Sequence, residues 1–131
     1  MLTSKGLAHI ALYTHDMEKS IAFYEKLGGK CTIRDEIQKP EWVNKLALVD
    51  FCGFVLELLQ PGDLGEIENN RGSFPHIAIE VENLEAAMEE VRACGIDNFG
   101  PIAEMPHLFT GLRNVFFTGP DGEKLELLQN L

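Results

Sequence analysis

Two histidines and two glutamates stand in apolar, strand-like surroundings where ionisable side chains are uncommon. His9 lies in LAHIAL (7–12), His76 in FPHIAI (74–79), Glu57 in FVLELL (54–59) and Glu126 in LELL (125–128). An unpaired carboxylate buried in such a strand costs several kcal/mol, so each glutamate needs compensation. Exposure on a sheet face, a Lys or Arg partner, or a bound cation would each supply it. A single strand histidine is ordinarily a satisfied core or surface residue. As a set, however, two imidazoles and two carboxylates make a nitrogen and oxygen donor combination suited to a divalent Zn, Ni, Co, Mn or Fe.

The spacing of these residues exposes a repeat. His9 and His76 are 67 residues apart, and Glu57 and Glu126 are 69 apart. The helix-like segments between them keep the offset. Met17, Ile21, Tyr24 and Gly28 in DMEKSIAFYEKLGG recur as Leu84, Met88, Val91 and Gly95 in NLEAAMEEVRACG, at a period near 3.6. Asp16 and Asn83 are suited to N-caps, and Gly28 and Gly95 to the left-handed residue that ends a helix. KCTIRDEIQ, NKLALVDFC and FVLELLQPGD read as three strands after the first helix. A weaker strand near 97–104, then RNVFFTG and EKLELLQN, read as three after the second. FCGF and GPDGE are the hairpin turns.

Each half is therefore expected to be β-α-β-β-β, and the chain α+β, with two tandem modules forming a curled mixed sheet of half-barrels. Module one covers about 6–62, a linker 63–72 and module two about 73–131, within one domain spanning 1–131. Strand alternation places Ala8, Ile10 and Leu12 on one face and His9, Ala11 and Tyr13 on the other, away from the helix. The same parity separates His76, Ala78 and Glu80 from Ile77, Ile79 and Val81.

Composition narrows the partners. Eleven Lys and Arg against 21 Asp and Glu give a net charge of -10, which repels nucleic acid and anionic membrane surfaces. Cys31, Cys52 and Cys94 are odd in number, lack CxxC spacing and sit in or beside apolar stretches, in keeping with reduced thiols in a cytoplasm. MLTSKGLAHIAL has neither the basic stretch nor the long apolar run of a signal peptide. No run of about 18 apolar residues is present to span a bilayer.

LAHIALYTHDMEKSIAFYEKLGG, FVLELLQPGD, FPHIAIEVENLEAAMEEVRACGI and VFFTGPDGEKLELLQ together resemble the vicinal oxygen chelate (glyoxalase/bleomycin resistance/dioxygenase) superfamily over essentially the whole chain. That superfamily is built from paired βαβββ modules curled around a metal. Its glyoxalase I (lactoylglutathione lyase) members carry His, Glu, His and Glu at four ligand places, which His9, Glu57, His76 and Glu126 match. Methylmalonyl-CoA epimerases are similar but usually carry Gln where Glu57 stands. Extradiol dioxygenases use three ligands, at His9, His76 and Glu126, and bleomycin-binding relatives generally lack the metal set.

The resemblance implies a lyase or isomerase in which one divalent metal chelates adjacent oxygens of an α-oxo or hemithioacetal substrate, formed with a thiol such as glutathione. A proton then moves through an enediolate, with Glu126 as principal base and Glu57 as alternative or stereochemical partner. Acyl-CoA epimerisation, Fe(II) extradiol cleavage and metal-free binding of a small molecule or drug are the competing functions. Tyr13 stands where bacterial glyoxalase I has an Arg for the glutathione moiety. Trp42 is a candidate aromatic wall, and His107 and Arg113 in MPHLFTGLRN are candidate contacts for a substrate anion. A homodimer is the implied assembly.

Overall fold

In a computed structural model of the chain, residues 3, 5, 8–69 and 76–131 are described. Leu7, the last three residues of the predicted linker, Phe74 and Pro75 fall outside them. The chain divides into two compact units, Met1–Arg71 and Gly72–Leu131.

The first unit contains β1 (Ile10–Tyr13), α1 (Met17–Lys26), β2 (Lys30–Gln38), β3 (Val43–Phe51), β4 (Phe54–Gln60) and the short α2 (Gly65–Asn69). The second contains β5 (Ile77–Glu80), α3 (Leu84–Ala93), β6 (Ala103–Met105), β7 (Leu112–Thr118) and β8 (Lys124–Asn130). Each sheet has four strands, ordered β1-β4-β3-β2 and β5-β8-β7-β6, with β1/β4 and β5/β8 parallel and the other pairs antiparallel. Both units thus contain the predicted β-α-β-β-β unit, in four-stranded mixed sheets not closed into barrels.

The helices form where their sequence signals place them. Asp16 and Asn83 accept hydrogen bonds from the backbone N–H groups of Lys19 and Ala86, at 3.1 and 2.9 Å. Gly28 and Gly95 follow the helix ends at φ +97° and +85°, a region costly for residues with a Cβ. A second repeated device was not read from the sequence. Gln60 Oε1 accepts from Met17 N and Gln129 Oε1 from Leu84 N, both at 2.8 Å, so the end of each module's last strand satisfies the first N–H of its helix.

One face of each sheet is closed by its helix. Met17, Ile21 and Tyr24 are buried with Val49, Phe51, Leu56 and Leu58, and the Tyr24 and Phe51 rings meet edge to face at 5.1 Å. In module two, Leu84, Met88 and Val91 are buried with Val115, Phe117, Leu125 and Leu127. Each such side chain contributes about 1.5–3 kcal/mol through burial. The core therefore lies on the helix side, and alternation turns Glu57 and Glu126 to the other face.

Two segments differ from expectation. The linker begins with a helical turn, because Asp63 Oδ1 accepts from Gly65 N at 3.0 Å and Asp63 O from Glu66 N at 3.0 Å. The weak strand of module two is confined to Ala103–Met105, since residues 97–102 lack an alternating apolar pattern. Among the described residues, no helix is long and apolar enough to cross a membrane.

Candidate metal centre

His9 and His76 each stand immediately before the first strand of their module. Within the sheets, Ala11 is the registered neighbour of Glu57 and Ala78 that of Glu126, so each histidine lies two residues upstream on the glutamate's face. The side chains meet there: His9 Nε2 is 3.4 Å from Glu57 Oε2, and His76 Nε2 is 3.1 Å from Glu126 Oε2. Each module thus brings together one predicted His–Glu pair. Among the described residues, no group of three or more His, Cys, Asp or Glu side chains gathers into a metal-binding cluster.

The donor chemistry fits a cation. Both imidazoles are 39% exposed, which leaves them accessible. Glu126 is 5% exposed, yet its recorded partners are the His76 ring and the Asn114 side-chain amide, which donates to Oε1 at 2.8 Å. The described arginines with recorded ion pairs answer other carboxylates: Arg34 pairs with Glu18, Arg92 with Glu89 and Asp97, and Arg113 with Glu85 and Glu104. A buried carboxylate facing an imidazole, with no Lys or Arg paired to it among the described residues, is chemically matched to a metal. Phe116 meets the His76 ring edge to face at 5.4 Å.

Over the first pair lies a cavity of about 310 Å³ lined by His9, Ile33, Asp35, Leu46, Ala47, Leu48 and Glu57. Ile33 pairs with Leu48 and Leu48 with Glu57, so the lining follows one row across three strands of the helix-free face. The cavity is small, and its lining is mainly apolar.

The substrate-side candidates are dispersed. Tyr13 pairs with Leu59, one row from Glu57 on the same face, and is half-buried. Trp42 is 38% exposed in the β2–β3 turn, where its ring lies against Gly62; a Cβ there would come within 2.5 Å of Trp42. It does not line the cavity over Glu57. His107 is exposed in the turn after β6.

Arg113 lies on β7 next to Asn114 and, by alternation, on the opposite, helix-packed face. There its guanidinium donates to Glu85 Oε2 of α3 and Glu104 Oε1 of β6, each at 3.1 Å. The Glu85 hydrogen bonds hold its pKa above the ordinary arginine value, and Arg113 in turn holds the Glu85 carboxyl below the usual range. The residue missed in the sequence is Asn114. Its signal was a polar amide inside the apolar run LRNVFF.

Comparison with known proteins follows the same lines. Residues 8–109 match the Glyoxalase/Bleomycin resistance protein/Dioxygenase superfamily, and the chain belongs to it. The uncharacterised protein YwkD of Bacillus subtilis is 33% identical over 127 residues, covering 95% of this chain and 97% of that protein. Lactoylglutathione lyase of Escherichia coli O157:H7 is 30% identical over 129 residues, covering 94% and 91%. Among solved structures, a glyoxalase family protein from Enterococcus faecalis has a TM-score of 0.74 at 26% identity, covering 95% and 98%. A point mutant of the fosfomycin resistance protein FosX of Listeria monocytogenes, solved with Mn(II) and 1S,2S-dihydroxypropylphosphonic acid, has a TM-score of 0.69 at 20% identity, covering 98% and 95%. The superfamily fold therefore serves more than one reaction.

Proposed function

We propose that the protein is a metal-dependent lyase or isomerase of the glyoxalase I type. Its substrate is a small α-oxo compound carried as a hemithioacetal of a thiol such as glutathione. The observation that carries the reading is the duplicated His–Glu pair, His9 with Glu57 and His76 with Glu126, at the same register in both modules. Similarity to lactoylglutathione lyases over most of the chain supports it.

In this reading the four side chains hold one divalent metal, Ni, Zn, Co, Mn or Fe. When bound, it supplies Lewis-acid polarisation of two adjacent substrate oxygens. The chain's own residues do the rest. His9 and His76 are neutral nitrogen donors, and a glutamate at the reacting carbons takes a proton from one carbon and returns it to the next. Glu57 and Glu126 are the two candidates. Ile33, Leu46 and Leu48 receive the apolar part of the substrate and exclude water from the His9–Glu57 side. Glu57, rather than Gln, favours this chemistry over acyl-CoA epimerisation. A homodimer in the cytoplasm completes the proposal.

The test is hemithioacetal isomerisation by purified protein, before and after chelator treatment, with Ni, Co, Zn or Mn restored. Turnover lost on chelation and regained with one of these metals is expected. Inactivity with every metal, while the protein remains folded, overturns the reading.

A further inference from the structure

The two half-sites share a register but not their neighbours. Asn114 on β7 pairs with Leu128, on the Glu126 face and one row from Phe116, which pairs with Glu126. The matching place in module one is Leu46, which pairs with Leu59 one row from Leu48, the partner of Glu57. Asn114 is 4% exposed and its amide donates to Glu126 Oε1 at 2.8 Å. Among the described residues, the recorded partner of Glu57 is the His9 ring, at 3.4 Å.

Burying an amide where the repeat tolerates a leucine costs about 1–3 kcal/mol unless the amide is hydrogen-bonded, so packing gives no reason for Asn114. Its bond to Glu126 does. With Oε1 engaged, rotation of the carboxylate is restrained, and Oε2 is left pointing at His76.

The geometry points to Asn114 as a positioning residue that fixes Glu126 as the stationary carboxylate, leaving Glu57 as the one that moves and carries the proton. Glu57 has room for this: its side chain is 21% exposed against 7% for Glu126, and it opens on the cavity bounded by Leu46 and Leu48. A group that alternates between holding and proton transfer needs rotameric freedom, whereas a fixed ligand gains from a partner that orients it. The inference rests on the proposed metal site for its consequence in turnover. Its positional half, that Asn114 aims Glu126, stands apart from any metal.

The experiment pairs calorimetric Ni(II) titration of the metal-free full chain with crystal structures of the metal-free protein, for wild type, N114L and N114Q. N114L copies the module-one residue and should turn Glu126 away from His76 and weaken Ni(II) binding about 10–100-fold. N114Q keeps a donor and should retain most of the affinity, a rescue that a mere packing role does not predict. Glu57→Gln should keep Ni(II) and lose kcat, while Glu126→Gln should lose Ni(II). Unchanged Ni(II) affinity in N114L, or Glu126 still directed at His76 in its metal-free structure, overturns the role of Asn114. Should wild type bind no Ni(II) while N114L reorients Glu126, the positioning role stands and the metal reading fails. If N114L does not fold, N114Q decides: affinity lost there, with Glu126 in place, overturns the proposal.

Discussion

The His9–Glu57 and His76–Glu126 pairs occupy one register in two copies of the same module, yet their surroundings diverge. In module two, Asn114 and Phe116 flank the pair, and the carboxylate is buried and tethered. In module one, Leu46 and Leu48 stand in those places, and the carboxylate opens on a small cavity. Both modules share what aligns each pair, namely strand register and the glutamine that seats each helix. The neighbours of the two carboxylates differ. One carboxylate is tethered by an amide and the other borders a cavity.

The helix-packed faces show the same divergence. Glu18 and Glu85 are equivalent helix residues, each answered by an arginine from the sheet, but Arg34 comes from β2 and Arg113 from β7. The ion pair is common to both modules while its donor strand is not.

The largest effect that would break the comparison lies in turnover. Glu57→Gln should lower kcat by about 10²–10⁴-fold, the usual range for a general base, measured in the hemithioacetal assay with metal saturating. A purely supporting role for Glu57 would leave kcat near wild type. Next come the cores: Leu56→Ala and Leu125→Ala, equivalent fully buried positions, should each cost about 2–5 kcal/mol in denaturant unfolding. Unequal costs would show that the helix-side packing has diverged as well. Smaller are the N-caps, where Asp16→Ala and Asn83→Ala should each cost about 1 kcal/mol, read from melting temperature.

The smallest is a pH effect. Hydrogen bonds from Arg34 and Arg113 hold the carboxyls of Glu18 and Glu85 below their ordinary value. A depressed folded-state pKa gives stability that is present above the unfolded value and lost as pH falls through the folded one. Glu18→Gln and Glu85→Gln should therefore differ from wild type at neutral pH and converge with it in acid. Both pairs are exposed, so the differences should be slight.

The fold was largely legible because its signals are local and duplicated: caps Asp16 and Asn83, the Met17/Ile21/Tyr24 and Leu84/Met88/Val91 stripes, and the turns around Cys52–Gly53 and Gly122. The four ionisable residues stood out in the sequence because each interrupts an apolar run at a matching repeat position. What stayed hidden depends on register between strands. That Asn114 reaches Glu126 follows from β7–β8 pairing, that Arg113 turns to α3 follows from which side of β7 packs on the helix, and that Gln60 and Gln129 seat the helices follows from parallel pairing across the module. The α2 turn escaped because Gly-rich composition reads as a loop until Asp63 is seen bonding Gly65 and Glu66.

The proposal that the duplicated His–Glu pairs bind a divalent metal is tested most directly by metal content of the purified full chain by mass spectrometry, beside Glu126→Gln. The account predicts one metal per chain in wild type and loss of it in the variant, with both folded. Metal-free wild type that also fails to take up Ni, Co, Zn or Mn, or an equal metal content in Glu126→Gln, would contradict it.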